Sequence, residues 1–144
     1  MANKPEKVMV LGIDAPIVWR LHKWATEGKL PTLGRLIKQG VFAPNCLPPY
    51  PTITPPNWTT LATGAWAGTH GITDFDGHVP GDPLDKVHQN FDAHFVQAEQ
   101  IWKAAERVGK RSIIVNYPTS YPAELKEGFQ IGGYGLHLNE MRRG

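Results

Sequence analysis

The spacing of apolar residues in this chain changes period several times, and each change marks an element. Val8-Met9-Val10-Leu11-Gly12-Ile13 is a nearly continuous apolar run, the pattern of a parallel strand buried on both faces. Asp14 ends it. Ile17, Leu21, Trp24 and Ala25 then fall on one face of a helix closed by Gly28. Pro31 opens a second short helix, with Leu33, Leu36 and Ile37 inward and Gly40 at its end. Val41 to Leu47 reads as another strand, and a proline-rich loop, Pro48 to Pro51, follows it. A helix beginning at Thr54 carries Trp58, Leu61 and Ala62 on one face and stops at Gly64. Residues 64 to 94, rich in Gly, Asp and His, predict an extended surface loop near the strand ends. Helical spacing returns from about Val96 to Val108, with Ile101, Ala104, Ala105 and Val108 inward and Gly109 as the stop. Ser112 to Asn116 predicts a second buried strand, ended by Tyr117-Pro118. This order of elements is that of an α/β domain with a mainly parallel sheet flanked by helices. Glu140-Met141-Arg142-Arg143-Gly144 closes no element, so residues 1–144 read as the N-terminal part of one domain whose remainder is absent from this chain.

Composition narrows the function classes. The 144 residues suffice for a real core, and 41% are hydrophobic, which is globular rather than disordered. The net charge of +2 comes with no basic run, so no nucleic-acid partner is expected. The single cysteine, Cys46, excludes an internal disulfide framework and a cysteine-rich zinc site. The apolar run after Lys4, Glu6 and Lys7 is too short for a signal peptide or a membrane span. The expected compartment is therefore cytoplasmic, with no membrane segment.

Two residues stand where chemistry is possible. Asp14 follows the first strand, the edge at which open α/β sheets bind ligands. Its carboxylate suits a metal, or caps the helix beginning near Pro16. Thr54 stands before Pro55 and Pro56, residues favoured at a helix start. It is placed as an N-cap beside the positive end of the helix dipole. Most such threonines only cap. A metal together with a helix N-terminus would favour the alkoxide and turn the hydroxyl into a nucleophile. Helix-start N–H groups, including that of Asn57, would then face an anion, and the Asn57 amide would add a donor.

The motifs Val10-Leu11-Gly12-Ile13-Asp14, Leu30-Pro31-Thr32-Leu33-Gly34-Arg35-Leu36, Pro51 to Thr59, Thr63-Gly64 and Thr69-His70-Gly71-Ile72 come in one order. That ordered set resembles the N-terminal part of the alkaline phosphatase superfamily, and within it the type I phosphodiesterase/nucleotide pyrophosphatase family. Ile101 to Ala105 and Asn116 to Pro122 resemble the same group. The resemblance implies an alkaline-phosphatase-like α/β fold, incomplete in this chain. It also implies two divalent metal ions, usually zinc, and a small-molecule phosphate ester or nucleotide as substrate. Asp14 matches the first metal-binding aspartate. Thr54 matches the nucleophile, itself a metal ligand, which forms a covalent phospho-threonine intermediate. Asn57 matches the asparagine that helps hold the phosphate oxygens.

The remaining ligands of such a site, aspartates and histidines, have no matching pattern here. None of His22, His70, His78, His88, His94 and His137 directly follows an Asp or stands four residues after one in a helix. His70 resembles a motif residue of structural role. Asp74 and Asp76 tempt a calcium reading, but their spacing departs from an EF-hand loop and a turn is expected. Trp66, Tyr117 and Tyr121 are candidates to face substrate. The expected activity is metal-dependent hydrolysis of phosphate diesters or nucleotide pyrophosphates, with the missing C-terminal part completing the site; 144 residues alone would be inactive. The alternatives are a phosphomonoesterase or phosphonate hydrolase of the same superfamily, and a non-catalytic α/β interaction module.

Overall fold

The computed structural model describes residues 6–132, and these divide between Leu47 and Pro48 into two units. In the first unit, α1 (Val18–Thr26) and α2 (Pro31–Gln39) form a helical hairpin. Ile17 is the N-cap of α1 rather than part of its inward face. Gly28, at φ 78°, ends α1. The Gly28 N–H donates to the Ala25 carbonyl at 3.3 Å and the Lys29 N–H to the Trp24 carbonyl at 2.9 Å, a Schellman ending that needs a left-handed residue at that place. Pro31 sits in the first turn of α2, where its missing N–H costs nothing. Of the expected inward residues of both helices, Ala25 is buried, Leu21, Leu33 and Ile37 are half-buried, and Trp24 and Leu36 are exposed.

Neither Val8–Ile13 nor Val41–Leu47 forms a strand. A strand exists through its ladder of backbone hydrogen bonds, and among the described residues no segment pairs with either run. Val8, Met9, Val10 and Leu11 are each at least 76% exposed. The apolar pattern that predicts a buried strand is present, and the neighbours that would bury it are not among the described residues.

The second unit contains α3 (Thr54–Thr63), α4 (Ala67–His70), β1 (Asp76–Gly77), β2 (His88–Gln89), a 3-10 turn (Ala93–Phe95), α5 (Ile101–Arg107), β3 (Ser112–Val115) and β4 (Gly128–Ile131). β1 and β2 are antiparallel, pairing Asp76 with Gln89. β3 and β4 are parallel, in register from Ser112 with Gly128 to Val115 with Ile131. The stretch 64 to 94 is thus not one loop: it holds α4 and a small ladder. β4 offers only Phe129 and Ile131 as strand signal. The Glu106 carboxylate, accepting from the Lys126 and Glu127 N–H groups at 2.8 and 2.6 Å, fixes the turn that brings it in. Gly128 is required there, since a Cβ would lie 2.5 Å from the Ser112 carbonyl oxygen.

The apolar core of this unit is Ala62, Trp102 and Ile114, with Tyr117 and Leu125 packed against them. On α3 the buried stripe runs through Pro55, Pro56, Thr59 and Ala62. Leu61, a helical step of 100° from Ala62, is 72% exposed, so the expected inward Leu61 is corrected. On α5 the buried residue is Trp102, while Ile101 and Val108 face outward. The helix starts at Ile101, later than expected, because Gln100 takes an extended backbone as its N-cap. The described residues therefore give helices and a two-stranded parallel sheet, and no described helix is long and apolar enough to cross a membrane.

Gly34 tests the first unit. A Cβ on Gly34 of α2 would stand 2.9 Å from the Ala25 carbonyl oxygen of α1, and backbone cannot step aside cheaply. Gly34→Ala is expected to destabilise by about 1–3 kcal/mol, despite its better helix propensity. Chemical unfolding checks this, and an unchanged or raised midpoint contradicts the close helix contact.

Candidate active site

Prolines decide the geometry around Thr54. Thr54 is the first residue of α3, and Pro55 and Pro56 follow within its first turn. The N-cap is Ile53, extended at φ −123° and ψ 165°, so the expected N-cap position of Thr54 is corrected by one residue. The cap falls on Ile53 because its carbonyl accepts the first helical bond, from the Asn57 N–H at 3.3 Å. That bond also engages the Asn57 N–H expected to face an anion. Pro55 and Pro56 have no N–H to offer. The usual row of donors at a helix start is therefore depleted here by two prolines.

The Asn57 amide is turned toward the chain before the helix. Its Nδ2 donates to the Pro51 carbonyl at 2.9 Å and to the Ile53 carbonyl at 2.8 Å. The Ile53 N–H closes on the Pro51 carbonyl at 2.9 Å, and the peptide bond preceding Pro51 is cis. Thr54 thus emerges from a tightly hydrogen-bonded turn.

Behind Thr54 lies a buried polar network. Thr59 is fully buried. Its hydroxyl donates to the Pro55 carbonyl at 2.7 Å and lies 3.1 Å from the Thr119 hydroxyl. Thr119 has φ 61°, unfavourable for a β-branched residue. Its backbone is held there by Gln100, whose Nε2 donates to the Thr119 carbonyl at 2.8 Å. The Ser120 hydroxyl donates to the Tyr117 carbonyl at 2.6 Å, and the Tyr117 hydroxyl to the Trp58 carbonyl at 2.9 Å. Burial pushes the Tyr117 phenol well above its usual range, so it stays neutral and donates. Its ring meets Trp58 and Trp102 edge-on at 5.0 and 5.1 Å. Tyr117 is thereby a packing residue.

His70 completes the support of α3. It is fully buried. The Ile72 N–H donates to Nδ1 at 3.1 Å, which leaves the proton on Nε2, and Nε2 donates to the Thr60 hydroxyl at 3.0 Å. Desolvation lowers its pKa, opposed by its hydrogen bonds with the Pro56 and His70 backbone. With both nitrogens engaged, His70 has the structural role expected of its motif.

The other sequence candidates scatter. Asp14 lies in the first unit, in a bend followed by Ala15 at φ 46°, not at the end of a strand. Thr54 and Asn57 lie in the second unit. Asp74 accepts from the Phe75 N–H at 2.7 Å, the expected turn, and Asp76 belongs to β1. His22 stacks on Phe42 and His88 on Phe95. His94 pairs with Asp92 at 2.9 Å. His78 reaches the Asp82 and Pro83 carbonyls. His137 lies outside the described residues. Trp66 is exposed and Tyr121 is at the margin of exposure. Among the described residues no group of three or more His, Cys, Asp or Glu is arranged to hold a metal ion. Thr59, Gln100 and Thr119 are the supporting residues that sequence reasoning missed. Their one signal is a polar residue, Thr59, on the stripe between Pro55 and Ala62.

Two outcomes follow from this network. Thr59→Val keeps the shape and strands the Thr119 hydroxyl, and is expected to cost about 1–3 kcal/mol. Leu61→Ala, on the exposed side, should stay within about 0.5 kcal/mol. Equal losses in urea unfolding contradict the network. For His70 the folded pKa lies below the unfolded value of about 6.5. Its neutral form therefore contributes fully above that pH, and stability declines as the pH falls from there toward the lowered folded value. His70→Gln should flatten that part of the stability–pH curve, and an unchanged slope contradicts the assignment.

Comparison with known proteins places this geometry. The family model for type I phosphodiesterase/nucleotide pyrophosphatase matches residues 8–137. Human ectonucleotide pyrophosphatase/phosphodiesterase family member 1 is 33% identical over 103 residues, 69% of this chain and 11% of that protein. An ectonucleotide pyrophosphatase/phosphodiesterase of Caenorhabditis elegans is 34% identical over 85 residues, 56% of this chain and 10% of its own length. A Schizosaccharomyces pombe protein, named as an uncharacterized pyrophosphatase/phosphodiesterase, is 30% identical over 116 residues, 77% of this chain and 23% of its own. The chain thus spans between about a tenth and a quarter of these relatives' length. With the family model covering nearly the whole sequence, the chain belongs to the type I phosphodiesterase/nucleotide pyrophosphatase family, a family of hydrolases.

Proposed function

We propose that the protein hydrolyses phosphate diesters or nucleotide pyrophosphates, with Thr54 as the nucleophile. The observation that carries this is the placement of Thr54. It is the first residue of a helix whose opening turn is stiffened by two prolines and clamped from both sides by hydrogen bonds. A backbone so held limits the freedom that the Thr54 hydroxyl has to lose to reach an in-line position at phosphorus. The Thr54 oxygen would form a bond to phosphorus as the ester or anhydride oxygen leaves with the electron pair, the hydroxyl proton passing to solvent water. Water would then attack the phospho-threonine, breaking its P–O bond and restoring the hydroxyl. The positive end of α3 favours the charge that develops.

Metal dependence belongs to the same proposal. Asp14 and Thr54 are each proposed as oxygen ligands on family resemblance alone; a divalent ion, zinc by the same resemblance, would when bound lower the pKa of the Thr54 hydroxyl. A catalytic zinc takes three protein ligands. Among the described residues no group of three is arranged for one, and further ligands are proposed to come from outside residues 6–132. The alkaline-phosphatase-like sheet, larger than the β3–β4 pair, is proposed on the same family grounds.

The test uses the full-length protein carrying this sequence. Thr54→Val is expected to lower turnover of bis-p-nitrophenyl phosphate by about 10³-fold or more, with the unfolding midpoint little changed. Undiminished turnover overturns the nucleophile and favours a non-catalytic module. Chelation should abolish activity and zinc restore it, with about two ions per molecule by elemental analysis; full activity without metal removes the metal part. Faster hydrolysis of p-nitrophenyl phosphate than of the diester would shift the substrate class to monoesters.

A further inference from the structure

We propose that Asn57 is a positioning residue, which ties together two carbonyls of the turn before Thr54, and not a contact to the substrate phosphate. This rests on the reading of Thr54 as nucleophile. Residues 51–56 include Pro51, Pro55 and Pro56, so six carbonyls share three N–H groups. In a helix-like turn the Pro51 carbonyl would accept from the N–H of residue 55, and Pro55 has none. That carbonyl accepts instead from the Ile53 N–H at 2.9 Å and, as a second bond, from the Asn57 amide at 2.9 Å. Its second hydrogen goes to the Ile53 carbonyl at 2.8 Å, the carbonyl that also takes the Asn57 N–H. Both neighbours of Nδ2 are carbonyl oxygens, which only accept, so the amide cannot be flipped without setting oxygen against oxygen. An amide has two N–H hydrogens and both are in use. To reach a phosphate it would have to leave two carbonyls of the nucleophile's own turn without this donor.

The consequence is a division of labour. Asn57 fixes where the turn ends and therefore where the Thr54 hydroxyl starts, and phosphate binding falls to other groups. A displacement of about 1 Å at a reacting oxygen can cost about a hundredfold in rate, so the effect belongs in kcat.

Two measurements test this in the full-length protein. The side-chain amide hydrogens of Asn57, followed by nitrogen-15 NMR, are expected to exchange slowly and to keep their shifts when inorganic phosphate is added. Rapid exchange, or a shift that tracks phosphate, overturns the proposal. Asn57→Asp keeps the size and removes both donors. It should lower kcat about a hundredfold, with KM and the inhibition constant of inorganic phosphate each within about threefold of wild type. The preference for a phosphate diester over its phosphorothioate should also stay the same. A tenfold weaker phosphate inhibition, or a changed phosphorothioate preference, identifies a lost phosphate contact and contradicts the proposal, as does wild-type kcat. Should Asn57→Asp fail to fold, the exchange measurement on the unmodified protein still decides. Failure of the underlying reading is separate, because Thr54→Val would then retain turnover while the Asn57 amide remained protected.

Discussion

A shortage of backbone donors governs this structure. Three prolines in the six residues from Pro51 to Pro56 remove half the N–H groups of the segment that carries Thr54. Side chains add further hydrogen bonds to the carbonyls of this segment. Asn57 serves the Pro51 and Ile53 carbonyls, and the Thr59 hydroxyl serves that of Pro55. The helix start that the prolines stiffen is thus also tied by the amide at position 57 and the hydroxyl at position 59.

That requirement propagates inward. A hydroxyl on the buried stripe of α3 has to be matched by polar groups on what packs against it. Thr119 is the match, held in a left-handed backbone by Gln100. Gln100 in turn sets the start of α5, whose Trp102 closes the apolar core with Ala62 and Ile114. His70 adds a second tie, to Thr60, the residue after Thr59 on α3. Each of these bonds is worth only about 1 kcal/mol net. Their joint effect is to fix one helix terminus with little freedom, which is what a nucleophile positioned for in-line attack requires.

Much of this was legible in the chain, for identifiable reasons. Glycines and prolines announced the ends of α1, α2 and α3, because a left-handed residue or a missing N–H permits few alternatives. The ordered motifs pointed to the family before any geometry was known. What escaped was set by tertiary context. Apolar runs such as Val8 to Ile13 signal burial but do not supply the strands that would bury them. The inward faces of α3 and α5 were misread at Leu61, Ile101 and Val108. The true stripe on α3 carries Thr59 rather than Leu61, and on α5 the one bulky Trp102 outweighs the smaller apolar residues around it. Residue type alone marks Asn57 as a hydrogen-bond donor. Only the positions of two carbonyls reveal that its hydrogens are already taken.

The stereochemical course at phosphorus tests the central claim most directly. Attack by Thr54 followed by water is two displacements, so a chiral phosphorothioate diester should be hydrolysed with net retention of configuration. Net inversion would mean that water attacks the substrate in a single step, and would contradict a covalent intermediate on Thr54.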